Sequence, residues 1–274
     1  MESISNFSTF VIESPEKRAS IAGNQLRSLG YAYTSVPATF YEGFPETFDS
    51  KSSWVKLRRH LSLPEVGCAE SHMICYRKFL ESDKQLALIF EDDAFISNKD
   101  LFLTYLSKLE NFDSDTNFCI SFFTKFATVK TSDIQSEFFY SVVDVPSSTV
   151  CYVISRGSAK SLLEANEKHT YNADWPKNTG IKFYLAKRLT IETGHSESFM
   201  LNNRGTVNIS TMERLLIMLS IFLGIHFFRH HKLFKSFTEY FSILISPTLR
   251  RTSYRLFSRK LPELGKGIRI PFWH

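Results

Sequence analysis

The stretch LALIFEDDAFIS, Leu86 to Ser97, joins an apolar run to three consecutive carboxylates, Glu91, Asp92 and Asp93. The apolar run reads as a buried strand, and like charges at its end are costly to desolvate unless a cation or hydrogen-bond donors meet them. In an extended chain Glu91 and Asp93 point to one side and Asp92 to the other. The first two can then share a ligand, and Asp92 can address a neighbouring donor group. Carboxylate oxygens suit a hard divalent cation, Mg²⁺ or Mn²⁺. An ordinary solvated acidic turn is the plain alternative.

The flanking segments place this strand in an α/β fold. FSTFVIES (Phe7 to Ser14) reads as a first buried strand. A helix follows, with Ser14 as cap, Pro15 at the first position and Glu16 in the first turn, and Gly30 stops it. YAYTSVPA is a second strand, and the strand–helix–strand unit favours a parallel sheet. SLPEVGCAESHMICYRKFLES predicts a helix capped by Ser62, with Glu65 at the capping-box spacing. On it Cys68, Cys75 and Phe79 share a face, which reads as core packing. Beyond the acidic strand come a polar helix over Asp100 to Leu109, strands at Asn117 to Phe123 and Ser147 to Arg156, and a helix in GSAKSLLEANEK.

Charge is unevenly spread. Residues 204–274 carry 12 Lys and Arg against 3 Asp and Glu, whereas residues 1–203 carry 21 against 25, so the net +5 comes from the tail. Within it, MERLLIMLSIFLGIHFF (Met212 to Phe228) has an uncharged run of about fourteen residues, short of the ~20 that span a bilayer. The following segment interleaves Phe, Leu and Ile with Arg, Lys and His. That pattern fits an interfacial helix lying on an anionic membrane surface, and accounts for part of the excess of 26 Phe. Packing on the rest of the protein or on a second subunit is the alternative. Nucleic acid is a poor fit, because long apolar stretches make few phosphate contacts. The expected division is therefore a domain over 1–204 and a helical basic-aromatic extension over 205–274. Four cysteines without CxxC pairing do not predict zinc, and the N-terminal residues show no secretory signal, so a reducing cytoplasm is the expectation.

Two motifs together point further. Gly67, Cys68, Ser71 and His72 form a Gly-Cys-x-x-Ser-His helix, and Leu88 to Asp93 form a strand ending Glu-Asp-Asp. In this the chain resembles glycosyltransferase family 25, whose members make lipooligosaccharide and are related to collagen galactosyltransferases. CYVISRGSAKSLL (Cys151 to Leu163) resembles the family's Ala-Tyr-x-Ile-Ser element, with Cys151 in place of Ala. Asp174 in NADWP matches a later family Asp. The resemblance spans roughly residues 7–200. Where the family has an Asn-Leu pair after the first strand, this chain has Ile12-Glu13, with Arg18 where an Arg is expected.

The resemblance implies a GT-A-like nucleotide-binding sheet flanked by helices, and inverting transfer from a UDP-sugar, galactose by family habit, to a lipopolysaccharide or related glycan. It implies a metal, Mn²⁺ or Mg²⁺, at Asp93, with Glu91 either a second ligand or a partner behind the ligands, and His195 a third ligand or a surface histidine. Asp174 is the implied general base; a helix N-cap is its ordinary reading. Arg18, Ser71, His72 and Asp92 are implied donor contacts, although a surface arginine and a satisfied core histidine are ordinary alternatives. A lipid-linked or oligosaccharide acceptor would place the protein on the cytoplasmic face of the cell membrane. A catalytically silent nucleotide-sugar-binding scaffold is the alternative from another functional class.

Overall fold

The computed structural model describes residues 7–14, 20–49, 52–53, 57, 61–109, 116–124, 138–143, 145–173, 175–176 and 179–193, and the backbone of 126–130 and 267–271. A seven-stranded mixed sheet organises them. β1 (Phe7–Glu13) lies between β2 (Thr34–Pro37) and β3 (Leu86–Glu91) and is parallel to both. β8 (Cys151–Ser155) runs antiparallel between β3 and β5 (Phe118–Ser121). β9 (Lys182–Ala186) is parallel to β5, and β7 (Phe139–Ser141) closes the far edge against β9. Two small ladders stand apart: β4 (Ala94–Ile96) with β10 (Ile191–Thr193), and β6 (Phe126–Lys130) with β11 (Gly267–Pro271).

Both faces of the sheet are covered, which is why β3 reads as an unbroken apolar run rather than an alternating one. Leu86, Leu88 and Phe90 face one core with Leu26 of α1 (Ile21–Ser28) and Phe102, Tyr105 and Leu106 of α3 (Lys99–Leu109). Ala87 and Ile89 face the other, with Met73, Tyr76 and Phe79 of α2 (Leu63–Glu81) and Leu162 of α4 (Arg156–Ala165). The first core is rich in aromatics. Phe102 stands edge-on to Phe122 at 5.2 Å and tilted to Phe90 at 6.0 Å, which gives much of the phenylalanine content a packing role.

Local signals explain the helix limits. The Ser62 amide donates to Glu65 Oε2 at 2.9 Å, closing the expected capping box of α2. At its other end Arg156 donates to the carbonyls of Leu80 and Ser82, both at 2.7 Å, placing a cation on the helix C-terminus. Gly67 is required where α2 meets the loop after β2, because a Cβ there would collide with the Thr39 carbonyl. Helix α1 starts later than the sequence suggests. Its cap is Ser20, whose hydroxyl accepts from the Gly23 amide at 2.9 Å, and not Ser14. Beyond its last residue, Ser28, the chain turns away at Gly30, in the left-handed region at φ 77°.

Residues 205–266, most of the expected tail, lie outside the described residues. Gly267–Pro271, at the end of that tail, pairs antiparallel with β6. Among the described residues no helix is long and apolar enough to cross a membrane.

Candidate functional site

The acidic residues sit where three strands converge. β1 ends at Glu13, β3 ends at Glu91, and β8 begins at Cys151, with Ile12 opposite Glu91 and Phe90 opposite Cys151. Glu91 closes its strand by donating its amide to Val150 O at 2.9 Å. Asp92 and Asp93 then form a turn before β4, so the alternation of side chains expected from an extended chain stops at Glu91. A turn separates carboxylates that a continuous strand would crowd together.

Strand parity carries Glu91 to the face of Ala87 and Ile89, under α2. There its Oε1 accepts a hydrogen bond from Thr149 Oγ1 at 2.7 Å and lies 3.4 Å from His72 Nε2. His72 is 1% exposed, and its other ring nitrogen, Nδ1, is 2.7 Å from Tyr152 Oη. Tyr152 Oη is in turn 2.8 Å from Tyr76 Oη. Burial pushes both phenols well above their ordinary values, so they stay protonated. Cys68, one helical turn before His72, completes a group of three. Its Sγ, a ring nitrogen of His72 and a Glu91 carboxylate oxygen lie within 4.8 Å of one another. Cys75 is sealed in the core as expected, whereas Cys68 is only partly buried.

Asp92 addresses the other face. Its carbonyl accepts from the Ile21 amide at 2.9 Å and the Ala22 amide at 3.3 Å, at the first turn of α1. Its carboxyl is raised by burial and by the charge of Glu91, against hydrogen bonds from the backbone of Ser14 and of the turn itself. Gln25 holds β4 at both ends of one residue, accepting from Ile96 N at 2.7 Å and donating to Ile96 O at 3.2 Å. Glu13, the departure from the family pattern, accepts from Tyr33 Oη at 3.2 Å and from Ser35 Oγ. It is thereby tied to the edge strand β2.

Ser71 is fully buried. Its hydroxyl donates to Gly67 O and accepts from Thr39 N, both at 2.8 Å, and so holds the loop after β2 on α2. Arg18, Asp174 and His195 lie outside the described residues. The residue after Asp174 is described: Trp175 is 3% exposed and stands edge-on to Tyr152, with ring centres 4.4 Å apart. Thr149, Tyr152 and Tyr76 had no assigned role in the sequence reading. Tyr152 was within reach, as the aromatic of the CYVIS element, but nothing local marks Thr149.

A second polar cluster lies along α2. Glu70 Oε2 is 2.5 Å from His169 Nε2, and Arg77 Nη1 donates to Glu70 Oε1 at 2.8 Å. His169 Nδ1 is 2.9 Å from Thr47 Oγ1. Burial works to raise the Glu70 carboxyl, but the hydrogen bonds from His169 and Arg77 outweigh it and hold the group below its ordinary value. Beside Thr47 opens a cavity of about 590 Å³ lined by Glu46, Thr47, Phe48, Asp49, Glu167 and Lys168. Phe44, 51% exposed, stacks on Phe48 at 4.5 Å.

Residues 9–175 match the family described as glycosyltransferase family 25 (LPS biosynthesis protein). No curated protein matches the chain. Among solved structures, one described as mannose-1-phosphate geranyltransferase from Thermus thermophilus is 11% identical, with TM-score 0.40, covering 68% of this chain and 76% of that one. A197 from STIV is 11% identical, with TM-score 0.38, covering 70% and 95%. A glycosyltransferase involved in glycosylation of the major capsid of PBCV-1 is 10% identical, with TM-score 0.30, covering 60% and 67%.

Proposed function

The chain belongs to glycosyltransferase family 25, and from that premise we propose that it transfers a sugar, galactose in the first instance, from a UDP-sugar to a lipopolysaccharide or related glycan with inversion at the anomeric carbon. The observation that carries this reading is the convergence of β1, β3 and β8 on Glu91, Asp92 and Asp93. Carboxylates at the C-terminal edge of parallel strands are a common place for a nucleotide and its cation in open α/β sheets. The reading takes the sheet as GT-A-like.

The hard oxygen donors of the acidic turn suit Mn²⁺ or Mg²⁺, with Asp93 and Glu91 as its holders and His195 as a further ligand. When bound, such a cation stabilises the negative charge of the departing diphosphate. The remaining work falls to the chain itself. Arg18 is assigned to the donor phosphates together with the first turn of α1, which Asp92 holds by accepting from the Ile21 amide. Ser71 and His72 shape the donor side of the site from α2. Asp174 takes the proton from the acceptor hydroxyl; the burial of Trp175 gives that segment an anchor.

The acceptor side is assigned to the loop of Phe44 and Phe48 with its adjoining cavity, since aromatic faces stack on sugar rings and carboxylates accept hydrogen bonds from sugar hydroxyls. The basic, aromatic-rich segment 205–266 is assigned to the anionic inner face of the cell membrane, where a lipid-linked acceptor is presented.

UDP binding measured by calorimetry, with and without Mn²⁺, tests the reading. Metal-dependent binding to the wild type and its loss in Asp93→Ala are expected. Binding that ignores the metal would remove the cation from the scheme. UDP-sugar binding without turnover would favour the silent scaffold.

A further inference from the structure

We infer that Cys68, His72 and Glu91 form a second cation site, for Zn²⁺ or a cation of similar softness, distinct from the hard-cation position assigned to Asp93 and sharing only Glu91 with it. The spacing of four residues puts Cys68 and His72 on one face of α2. Strand parity brings Glu91 beneath them, and the three ligand atoms fall within 4.8 Å of one another. A tetrahedral zinc ion with bonds of about 2.0–2.3 Å sets its ligands roughly 3.5 Å apart. His72 Nε2 and Glu91 Oε1 already stand at 3.4 Å. Cys68 and Glu91 are both partly exposed, so small side-chain rotations complete the closure.

The imidazole supplies the second, independent observation. His72 is 98% buried at its side chain, and its Nε2, aimed at Glu91, makes no hydrogen bond. Its Nδ1 is held by Tyr152, which passes the hydrogen bond on to Tyr76. A proton on Nδ1, donated to Tyr152 Oη, leaves the Nε2 lone pair available to a cation beside Glu91. This is the arrangement by which a protein fixes the tautomer of a metal-binding histidine. Thr149 orients the carboxylate by donating to the same Oε1 that lies nearest His72. The donor set of one thiolate, one imidazole and one carboxylate is softer than Mg²⁺ prefers and suits Zn²⁺. Three protein ligands beside a partly exposed Glu91 leave a fourth position for water or a substrate oxygen.

The test uses the full chain, stripped with chelator and then titrated with Zn²⁺ and, separately, with Co²⁺. One equivalent of Zn²⁺ and a near-ultraviolet thiolate-to-cobalt charge-transfer band are expected. Cys68→Ser should lose the band and weaken Zn²⁺ about tenfold or more, and Glu91→Gln should keep the band while weakening Zn²⁺ about tenfold. Asp93→Asn should retain band and zinc affinity while losing Mn²⁺-dependent UDP binding, which separates this site from the proposed donor site. A wild type without the band, or a band that persists in Cys68→Ser, would overturn the inference and leave the donor reading untouched. Should Cys68→Ser fail to fold by circular dichroism, unchanged zinc affinity in Glu91→Gln would overturn it equally.

Discussion

His72 Nδ1 and Tyr152 Oη meet at 2.7 Å across the interface between α2 and β8, both sealed from solvent. The contact ties the helix of the Gly-Cys-x-x-Ser-His motif to the strand that lies beside the acidic edge. Removing the phenol in Tyr152→Phe leaves the ring packing intact but strips His72 and Tyr76 of their shared partner. We expect a loss of about 1–3 kcal/mol in stability by chemical denaturation. Turnover should fall further than this loss of folded protein explains, because the imidazole is no longer held. Wild-type turnover in the folded variant would show that Tyr152 acts on the fold alone.

Glu70 gives the fold an acid-sensitive element. Its folded-state value lies below the ordinary one, so its contribution to stability is fully present above the unfolded carboxylate value of about 4.3. That contribution is lost as the pH falls through the folded value. Glu70→Gln should cost about 1–3 kcal/mol near neutral pH and flatten the acid limb of the stability profile. An unchanged acid limb would mean that other carboxylates dominate it.

Phe44 is exposed and stacked on Phe48, so its loss should leave the core unaffected. Phe44→Ala is expected to shift stability by no more than about 0.5 kcal/mol. Its effect should appear as a several-fold rise in KM for the glycan acceptor, with KM for the donor unchanged. Equal acceptor KM in the two proteins would move the acceptor site elsewhere.

Much of the sheet was legible because its signals are local. The apolar run of β3, the capping box at Ser62 and the glycine at position 30 each act within a few residues, and each element formed where these place it. The start of α1 was not: Ser14, Pro15 and Glu16 carry the local start signature, yet the cap is Ser20. The choice falls to Ser20 because Asp92, seventy-odd positions away, offers its carbonyl to the first turn. The site divides in the same way. Glu91, Asp92 and Asp93 announce themselves in sequence, but their geometry does not, because the chain turns immediately after Glu91. Thr149 and Tyr152 reach the site only through the pairing of β8 with β3. Cys68 read as core packing because nothing in the helical period reveals that Glu91 will lie beside it.

The double contact of Gln25 with Ile96, together with the Asp92 carbonyl on the first turn of α1, makes the acidic turn and the helix a single mechanical unit. Neither can open alone without breaking the other's hydrogen bonds. The amides of Ile21, Ala22 and Ile96 should therefore exchange with solvent at a common rate, set by one shared local unfolding event. On the proposed reading, in which a bulky charged nucleotide enters and leaves here, the hinge lies elsewhere than in the carboxylates.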